Sequence, residues 1–125
     1  MIAVDTSSLI AFLEGMRGED VDLLDEALKS NQVTLPPVVL TELLSDPALP
    51  KNVVQLFKSL PILEITDGYW ERTGAMRAKL LSKGRRAKVG DALIAQACLD
   101  HEVGLLTRDE DFAGFASVCG LVLVS

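Results

Sequence analysis

Short apolar runs alternate along the whole chain with stretches in which apolar residues recur at helical spacing. The apolar runs are rich in Val, Ile and Leu, and they predict strands at residues 2–4, 33–35, 62–65, 104–107 and 121–124. Spacings of three and four predict helices at residues 9–15, 21–28, 37–44, 52–60, 69–81, 91–103 and 110–117. This alternation predicts an α/β fold in which a central parallel sheet is covered by helices on both faces.

Composition fits one globular domain and excludes several classes of protein. The chain has 125 residues, of which 49% are hydrophobic, so we expect a single domain over residues 1–125 with a substantial core. The two cysteines form no CxxC pair, and one histidine cannot form an HExxH zinc site. No export signal and no apolar run of membrane-spanning length is present, so we expect a cytoplasmic protein. Taken alone, the net charge of −6 argues against a nucleic-acid partner.

Four acidic residues lie at predicted strand ends or within apolar helical segments. Asp5 directly follows the first strand and Asp109 follows the fourth by two residues, where sites form in open parallel sheets. Glu42 lies within an apolar helix, and Asp91 opens the most apolar helix of the chain. Each acid alone is explained equally well as a helix cap or a half-exposed helix residue.

As a group, the four acids point to a cation. Two unit charges about 5 Å apart repel by about 3 kcal/mol at an effective dielectric near 20, so several such pairs would strain a domain of ordinary stability. A cluster of these acids therefore needs a bound cation or altered protonation. Oxygen-only ligands favour Mg²⁺ or Mn²⁺ over zinc.

The same acids stand in four segments whose order is recognisable. The segments are Val4-Asp5-Thr6-Ser7, Leu40-Thr41-Glu42-Leu43, Gly90-Asp91-Ala92-Leu93-Ile94-Ala95 and Leu105-Leu106-Thr107-Arg108-Asp109-Glu110-Asp111-Phe112. Taken together, they resemble the PIN-domain ribonucleases over almost the whole chain, and most closely the VapC-type toxins of bacterial toxin–antitoxin pairs. The resemblance implies a PIN-like fold with a sheet of about five parallel strands.

The resemblance also implies which residues form the site. The implied metal ligands are Asp5, Asp91, Glu42 and Asp109, and the implied supporting hydroxyls are Thr6 and Thr107. Asp5 and Asp91 would contact Mg²⁺ most directly, and the other two acids would act in part through water. Asp111 is an alternative to Asp109 as the fourth acid, and the position of Asp109 closer to the strand end favours Asp109.

The implied activity is metal-assisted hydrolysis of an RNA phosphodiester, which leaves a 5′-phosphate. A single histidine agrees with this chemistry, because the histidine-based mechanism of other ribonucleases is not available. The resemblance further implies a homodimer and a cognate antitoxin protein whose tail covers the acidic pocket.

Half of the basic residues are concentrated directly before Asp91. Residues 77–88 contain six of the 12 Lys and Arg residues and no acid. Cations favour a helix C-terminus, which explains part of this bias. The functional interpretation is an edge that contacts RNA phosphates, formed by Arg85, Arg86, Lys88 and Arg108. With four acids assigned to a cation site, the remaining charge is 12 − 14 = −2, so the net charge no longer excludes RNA.

Other protein classes also place acids at strand ends. A receiver domain requires a lysine late in the chain, and no Lys follows Lys88. P-loop and Rossmann nucleotide binders are excluded because GxxxxGK and GxGxxG are absent from the sequence. Two alternatives stay open: a PIN-fold module that binds RNA or protein without cleavage, and a housekeeping PIN nuclease without an antitoxin.

Overall fold

A computed structural model describes residues 1–124 of the chain. The strands in this range are β1 (Ile2–Val4), β2 (Val33–Thr34), β3 (Gly104–Leu106) and β4 (Leu123–Val124). The helices are α1 (Thr6–Leu13), α2 (Glu19–Lys29), α3 (Pro37–Leu44), α4 (Lys51–Ser59), α5 (Tyr69–Ser82), α6 (Val89–Asp100) and α7 (Ala113–Cys119), with a 3₁₀ turn at Glu110–Phe112. The predicted alternation of short strands and helices is confirmed.

The strands form one parallel sheet in the order β2-β1-β3-β4. Ala3 at the centre pairs with Thr34 of β2 on one side and with Leu105 of β3 on the other. Ala3 and Val4 of β1 and Leu105 and Leu106 of β3 are fully buried, which explains why these strands are continuous apolar runs and do not alternate. Because the strands share one direction, the residues that follow β1 and β3 meet at the same edge of the sheet.

The predicted third strand, residues 62–65, contributes a single bridge to the sheet. Leu35 pairs with Ile62 in parallel, and the chain then leaves the sheet. The pairing ends there because Leu35 is followed by Pro36 and Pro37, which have no N–H to donate, and helix α3 begins at Pro37. The carbonyl of Glu64 accepts a hydrogen bond of 2.7 Å from Nε2 of His101. Over the described residues the sheet therefore has four strands and this bridge, close to the five strands predicted.

Helix α6 fills the centre of the core, as its apolar sequence predicts. Ile94, Ala95 and Cys98 are at most 1% exposed. The hydroxyl of Tyr69, in the first turn of α5, donates a hydrogen bond of 2.6 Å to the carbonyl of Leu93. This packing places the N-terminus of α6, which carries Asp91, at the carboxyl edge of the sheet. In the part of the chain that the structure covers, no helix is both long and apolar enough to cross a membrane.

Candidate metal centre at the carboxyl edge of the sheet

Asp5 is the buried acid of the site. It directly follows β1, its backbone N–H still pairs with the carbonyl of Leu106 at 2.9 Å, and its side chain is only 5% exposed. Its Oδ2 accepts hydrogen bonds of 2.8 Å from the hydroxyls of Ser7 and Thr107. These two donors stabilise the ionised carboxylate and hold it in one orientation. The predicted supporting role of Thr107 therefore matches its position, and Ser7 is a supporting residue that sequence analysis did not single out.

Thr6 and Glu42 meet at the N-terminus of α1. The hydroxyl of Thr6, the first residue of α1, donates a 2.9 Å hydrogen bond to Oε1 of Glu42 on α3. Glu42 is solvent-exposed, in contrast to Asp5. The contact brings the acid of α3 to the N-terminus of α1, where the helix dipole favours negative charge.

Three carboxylates form the densest part of the site. Asp91, Asp109 and Asp111 each place an oxygen within 4.8 Å of the other two. Burial raises the pKa of Asp91 to about 6, and the charges of Asp109, Asp5 and Asp111 add to the shift, whereas Lys88 opposes it. The contribution of Asp5 links this cluster to the buried acid. Of the four predicted metal ligands, Asp91 and Asp109 lie in this cluster together with the alternative acid Asp111, whereas Asp5 and Glu42 are not among its members.

The structure gives Asp109 and Asp111 different local roles. The side chain of Asp109 caps the 3₁₀ turn, because its Oδ1 accepts a 2.9 Å hydrogen bond from the backbone N–H of Asp111. Its own N–H donates to the hydroxyl of Thr107 at 3.0 Å. The carboxylate of Asp111 lies beside those of Asp91 and Asp109. Both acids therefore belong to the cluster.

The donor set fits a hard divalent cation. The converging atoms are carboxylate oxygens, and the pKa of one of these groups, Asp91, is raised first by burial and further by the neighbouring negative charges. Carboxylates with a few water positions are the coordination that Mg²⁺ and Mn²⁺ prefer. The cluster can therefore hold a metal ion, and the ion would relieve the repulsion among the carboxylates.

Basic side chains from residues 77–88, the segment predicted to contact RNA, reach this cluster. Nζ of Lys88 lies 3.4 Å from Oδ2 of Asp111, and Nη1 of Arg86 lies 4.0 Å from its Oδ1. Both basic side chains are mostly exposed, so they approach the acids from the solvent side. The guanidinium of Arg85 lies over Gly114 of α7. The segment therefore forms a basic edge, Arg85, Arg86 and Lys88, beside the acidic cluster.

Arg108 differs from the rest of the predicted RNA-binding set. Its guanidinium binds the carboxylate of Asp20 on α2 through two hydrogen bonds of 2.8 Å. The two side chains are 28% and 13% exposed. Hydrogen bonding by Arg108 lowers the pKa of Asp20 to about 2. The Arg108 guanidinium, which was expected to contact RNA phosphates, is thus already bound to an acid of the protein itself.

Comparisons with known proteins agree with this geometry. A search of curated proteins found no significant match. Among solved structures, the chain resembles VapBC-5 of Mycobacterium tuberculosis, a member of the VapBC family of toxin–antitoxin systems (23% identity, TM-score 0.65, 98% of both chains). It also resembles a toxin–antitoxin complex from Klebsiella pneumoniae (20% identity, TM-score 0.71, 98% of this chain and 96% of the other).

A third similar structure is VapBC2 from Rickettsia felis bound to a DNA fragment from its promoter (22% identity, TM-score 0.73, 99% of this chain and 98% of the other). At these identities the likeness establishes the fold. The family model of the PIN domain matches residues 2–118, nearly the whole chain, which confirms the resemblance inferred from the four acidic segments. The chain belongs to the PIN-domain family.

Proposed function

We propose that the chain is a Mg²⁺-dependent endoribonuclease that acts as the toxin of a type II toxin–antitoxin pair. The observation that carries the proposal is the convergence of Asp91, Asp109 and Asp111 beside the buried Asp5 at the carboxyl edge of a PIN-domain sheet. Mn²⁺ has similar ligand preferences and is expected to replace Mg²⁺.

The carboxylates have two different proposed roles in metal binding. Asp5, fixed by two hydroxyls, and Asp91 are the proposed direct metal ligands. Asp109, Asp111 and Glu42 complete the acidic pocket, and Glu42 is held by Thr6. A bound divalent ion activates water and stabilises charge on the reacting phosphate.

Metal affinity is expected to depend on pH through Asp91. Protons compete with the cation for this carboxylate, whose pKa is raised to about 6. For one such group, Mn²⁺ affinity measured by calorimetry will be about tenfold weaker at pH 5 than at pH 7.5. An affinity that is constant over this range would contradict a ligand role for Asp91.

The basic edge is the proposed contact for RNA phosphates. Arg86 and Lys88 are exposed and lie within 4.0 Å of Asp111, so they can hold a phosphate next to the acidic cluster. They would also reduce repulsion between RNA and the acids.

Replacing Arg86 and Lys88 together by Ala is expected to weaken RNA binding and to lower the slope of log affinity against log salt by about 2. Fluorescence anisotropy in an Asp5→Asn background, which prevents cleavage, measures both quantities. The matched control replaces Lys51 and Lys58, two exposed lysines of α4, and is expected to leave the slope unchanged. Equal slopes in the two double variants would contradict the proposed contact.

The proposed partners are an antitoxin protein and a second copy of the chain. Support for the antitoxin comes from the similar solved structures, which are described as toxin–antitoxin systems. Expression of the chain alone is expected to arrest growth, and coexpression of a small DNA-binding protein encoded next to it is expected to restore growth. Ribonuclease activity without growth arrest would instead favour a housekeeping nuclease.

The chemistry is tested by the ends of the RNA products. Purified protein with Mg²⁺ is expected to cut a structured RNA and to leave 5′-phosphates, which a ligase that requires this end will detect. A 2′,3′-cyclic phosphate on the other fragment would contradict metal-assisted hydrolysis. Wild-type protein that binds but does not cut any cellular RNA would favour the non-cleaving binding module.

A further inference from the structure

The Asp20–Arg108 pair joins two segments that are distant in the sequence. Arg108 lies two residues after β3, and Asp20 lies in the first turn of α2, 88 residues earlier. The buried hydroxyl of Ser8 on α1 donates a third hydrogen bond, of 2.8 Å, to Oδ2 of Asp20. The guanidinium also donates to the carbonyl of Arg17 at 3.3 Å. We call this pair the clamp.

The clamp is connected to the proposed metal centre through short contacts. The backbone N–H of Arg108 donates to the hydroxyl of Ser7 at 3.3 Å, and Ser7 donates to Asp5. Arg108 also stands between Thr107, which donates to Asp5, and Asp109, which belongs to the acidic cluster. A shift of Arg108 would therefore move donors and acids on both sides of the site.

Gly18 leaves room for the Asp20–Arg108 pair. A Cβ atom at this position would lie 2.6 Å from Oδ1 of Asp20 and 2.9 Å from Nη2 of Arg108. Real Cβ atoms do not approach other heavy atoms this closely. Both atoms belong to the pair itself, so a larger residue would displace one of its members. The loop before α2 thus fits around the ion pair.

We propose that the clamp is a positioning element for the metal centre and that Arg108 acts through Asp20, not through RNA. It fixes the segment that carries Thr107 and Asp109 against the N-terminus of α1, where Asp5 is held. The inference rests on the proposed function, because the residues it positions are the proposed metal ligands. A bidentate guanidinium–carboxylate pair is suited to this task, because it fixes orientation as well as distance.

The charge of Arg108 and its positioning role predict opposite effects of an Arg108 substitution on metal affinity. A positive group near a cation site repels the cation, so removing it without moving any other atom would strengthen metal binding. Loss of the clamp would weaken binding, because the carboxylates and their donors would no longer be held in place. Removing a group that orients metal ligands typically lowers metal affinity or activity 10–100-fold. The sign of the change therefore separates the two accounts.

Calorimetric titration with Mn²⁺ tests the clamp. We expect Arg108→Gln to weaken Mn²⁺ binding about tenfold or more. Gly18→Ala, which changes no charge, is expected to weaken it in the same direction. Arg108→Lys keeps the charge but loses the fork, and it is also expected to bind Mn²⁺ less tightly than the wild type. The matched control is Asp25→Asn, which breaks the exposed Asp25–Lys29 pair of the same helix and is expected to leave the affinity unchanged.

RNA cleavage kinetics provide a second readout. A positioning role predicts a lower kcat with little change in KM for Arg108→Gln, whereas loss of an RNA contact would raise KM. Unchanged or tighter Mn²⁺ binding in Arg108→Gln and Gly18→Ala would overturn the clamp while the wild-type titration still supports the proposed function. If Arg108→Gln does not fold, Gly18→Ala and Arg108→Lys decide the question. Wild-type protein that binds no Mn²⁺ would overturn both proposals.

Discussion

Asp5→Asn is expected to reduce RNA cleavage by at least about 1,000-fold, a loss of about 4 kcal/mol of transition-state stabilisation. The substitution keeps the size of the side chain and removes its charge. Asp5 is the most buried acid of the pocket, and Ser7 and Thr107 both donate to its Oδ2. The amide oxygen can still accept from the two hydroxyls, but the NH2 group then replaces the other carboxylate oxygen and the ligand charge is lost.

The control for this prediction is Asp25→Asn, an exposed acid of α2 that lies outside the site. Both variants are compared as folded proteins by initial rates on the same RNA at saturating Mg²⁺. We expect the control to cleave at the wild-type rate. Cleavage by Asp5→Asn within tenfold of the wild type would contradict the assignment of Asp5 as a direct ligand.

Asp91→Asn is expected to have opposite effects on stability and activity. The pKa of Asp91 is raised from 3.8 to about 6 in the folded state, mainly by burial. In metal-free protein this group therefore does not lower the free energy of unfolding below about pH 3.8. It lowers that free energy progressively as the pH rises, and the full destabilisation is present above about pH 6. The amide removes this destabilisation, so it stabilises the metal-free fold at neutral pH even though a helix N-terminus favours an anion.

Thermal unfolding in EDTA at pH 7.5 tests this effect. The Tm of Asp91→Asn is expected to exceed that of the wild type by a few degrees, and the difference is expected to shrink as the pH approaches 4. Cleavage by the same variant is expected to be lost. A lower Tm at neutral pH, or retained cleavage, would contradict the account of a strained carboxylate kept for metal binding.

The central features of the site could be predicted because they depend on local sequence. A carboxylate directly after an apolar strand lies at the carboxyl edge of a parallel sheet, which identified Asp5. Asp91 was singled out by a different signal, because it is an acid at the start of an apolar helix, and its role as a metal ligand stays a prediction. Thr107 follows β3 and was expected to support a carboxylate, and its hydroxyl donates to Asp5.

Other features could not be predicted because they depend on contacts between distant segments. Residues 19–26 contain five acids, and their spacing does not distinguish Asp20 from its neighbours. Only the fold brings Asp20 to Arg108. Because of this contact, we interpret Arg108 as the partner of Asp20 and no longer as a residue that contacts RNA phosphates. Residues 62–65 form a single bridge instead of a strand, because the segment after β2 continues into Pro36 and Pro37, which have no N–H to donate to the ladder. The apolar pattern of residues 62–65 does not show which segment they pair with.

Net charge illustrates how placement changes the meaning of composition. A charge of −6 argues against RNA as long as the acids are treated as evenly spread. In the structure, Asp91, Asp109 and Asp111 are concentrated in one cluster, and Lys88 and Arg86 stand beside it. Binding of a divalent ion would offset part of this local charge, so we expect RNA affinity to respond to Mg²⁺ as well as to salt.

The dependence of cleavage on Mg²⁺ decides whether the chain is a metal-dependent ribonuclease. Protein freed of metal with EDTA is mixed with a labelled structured RNA, and the initial rate is measured as free Mg²⁺ is raised. We expect no cleavage before Mg²⁺ is added and a rate that rises to saturation as the acidic cluster binds the ion. Full cleavage in excess EDTA would rule out a metal-dependent reaction.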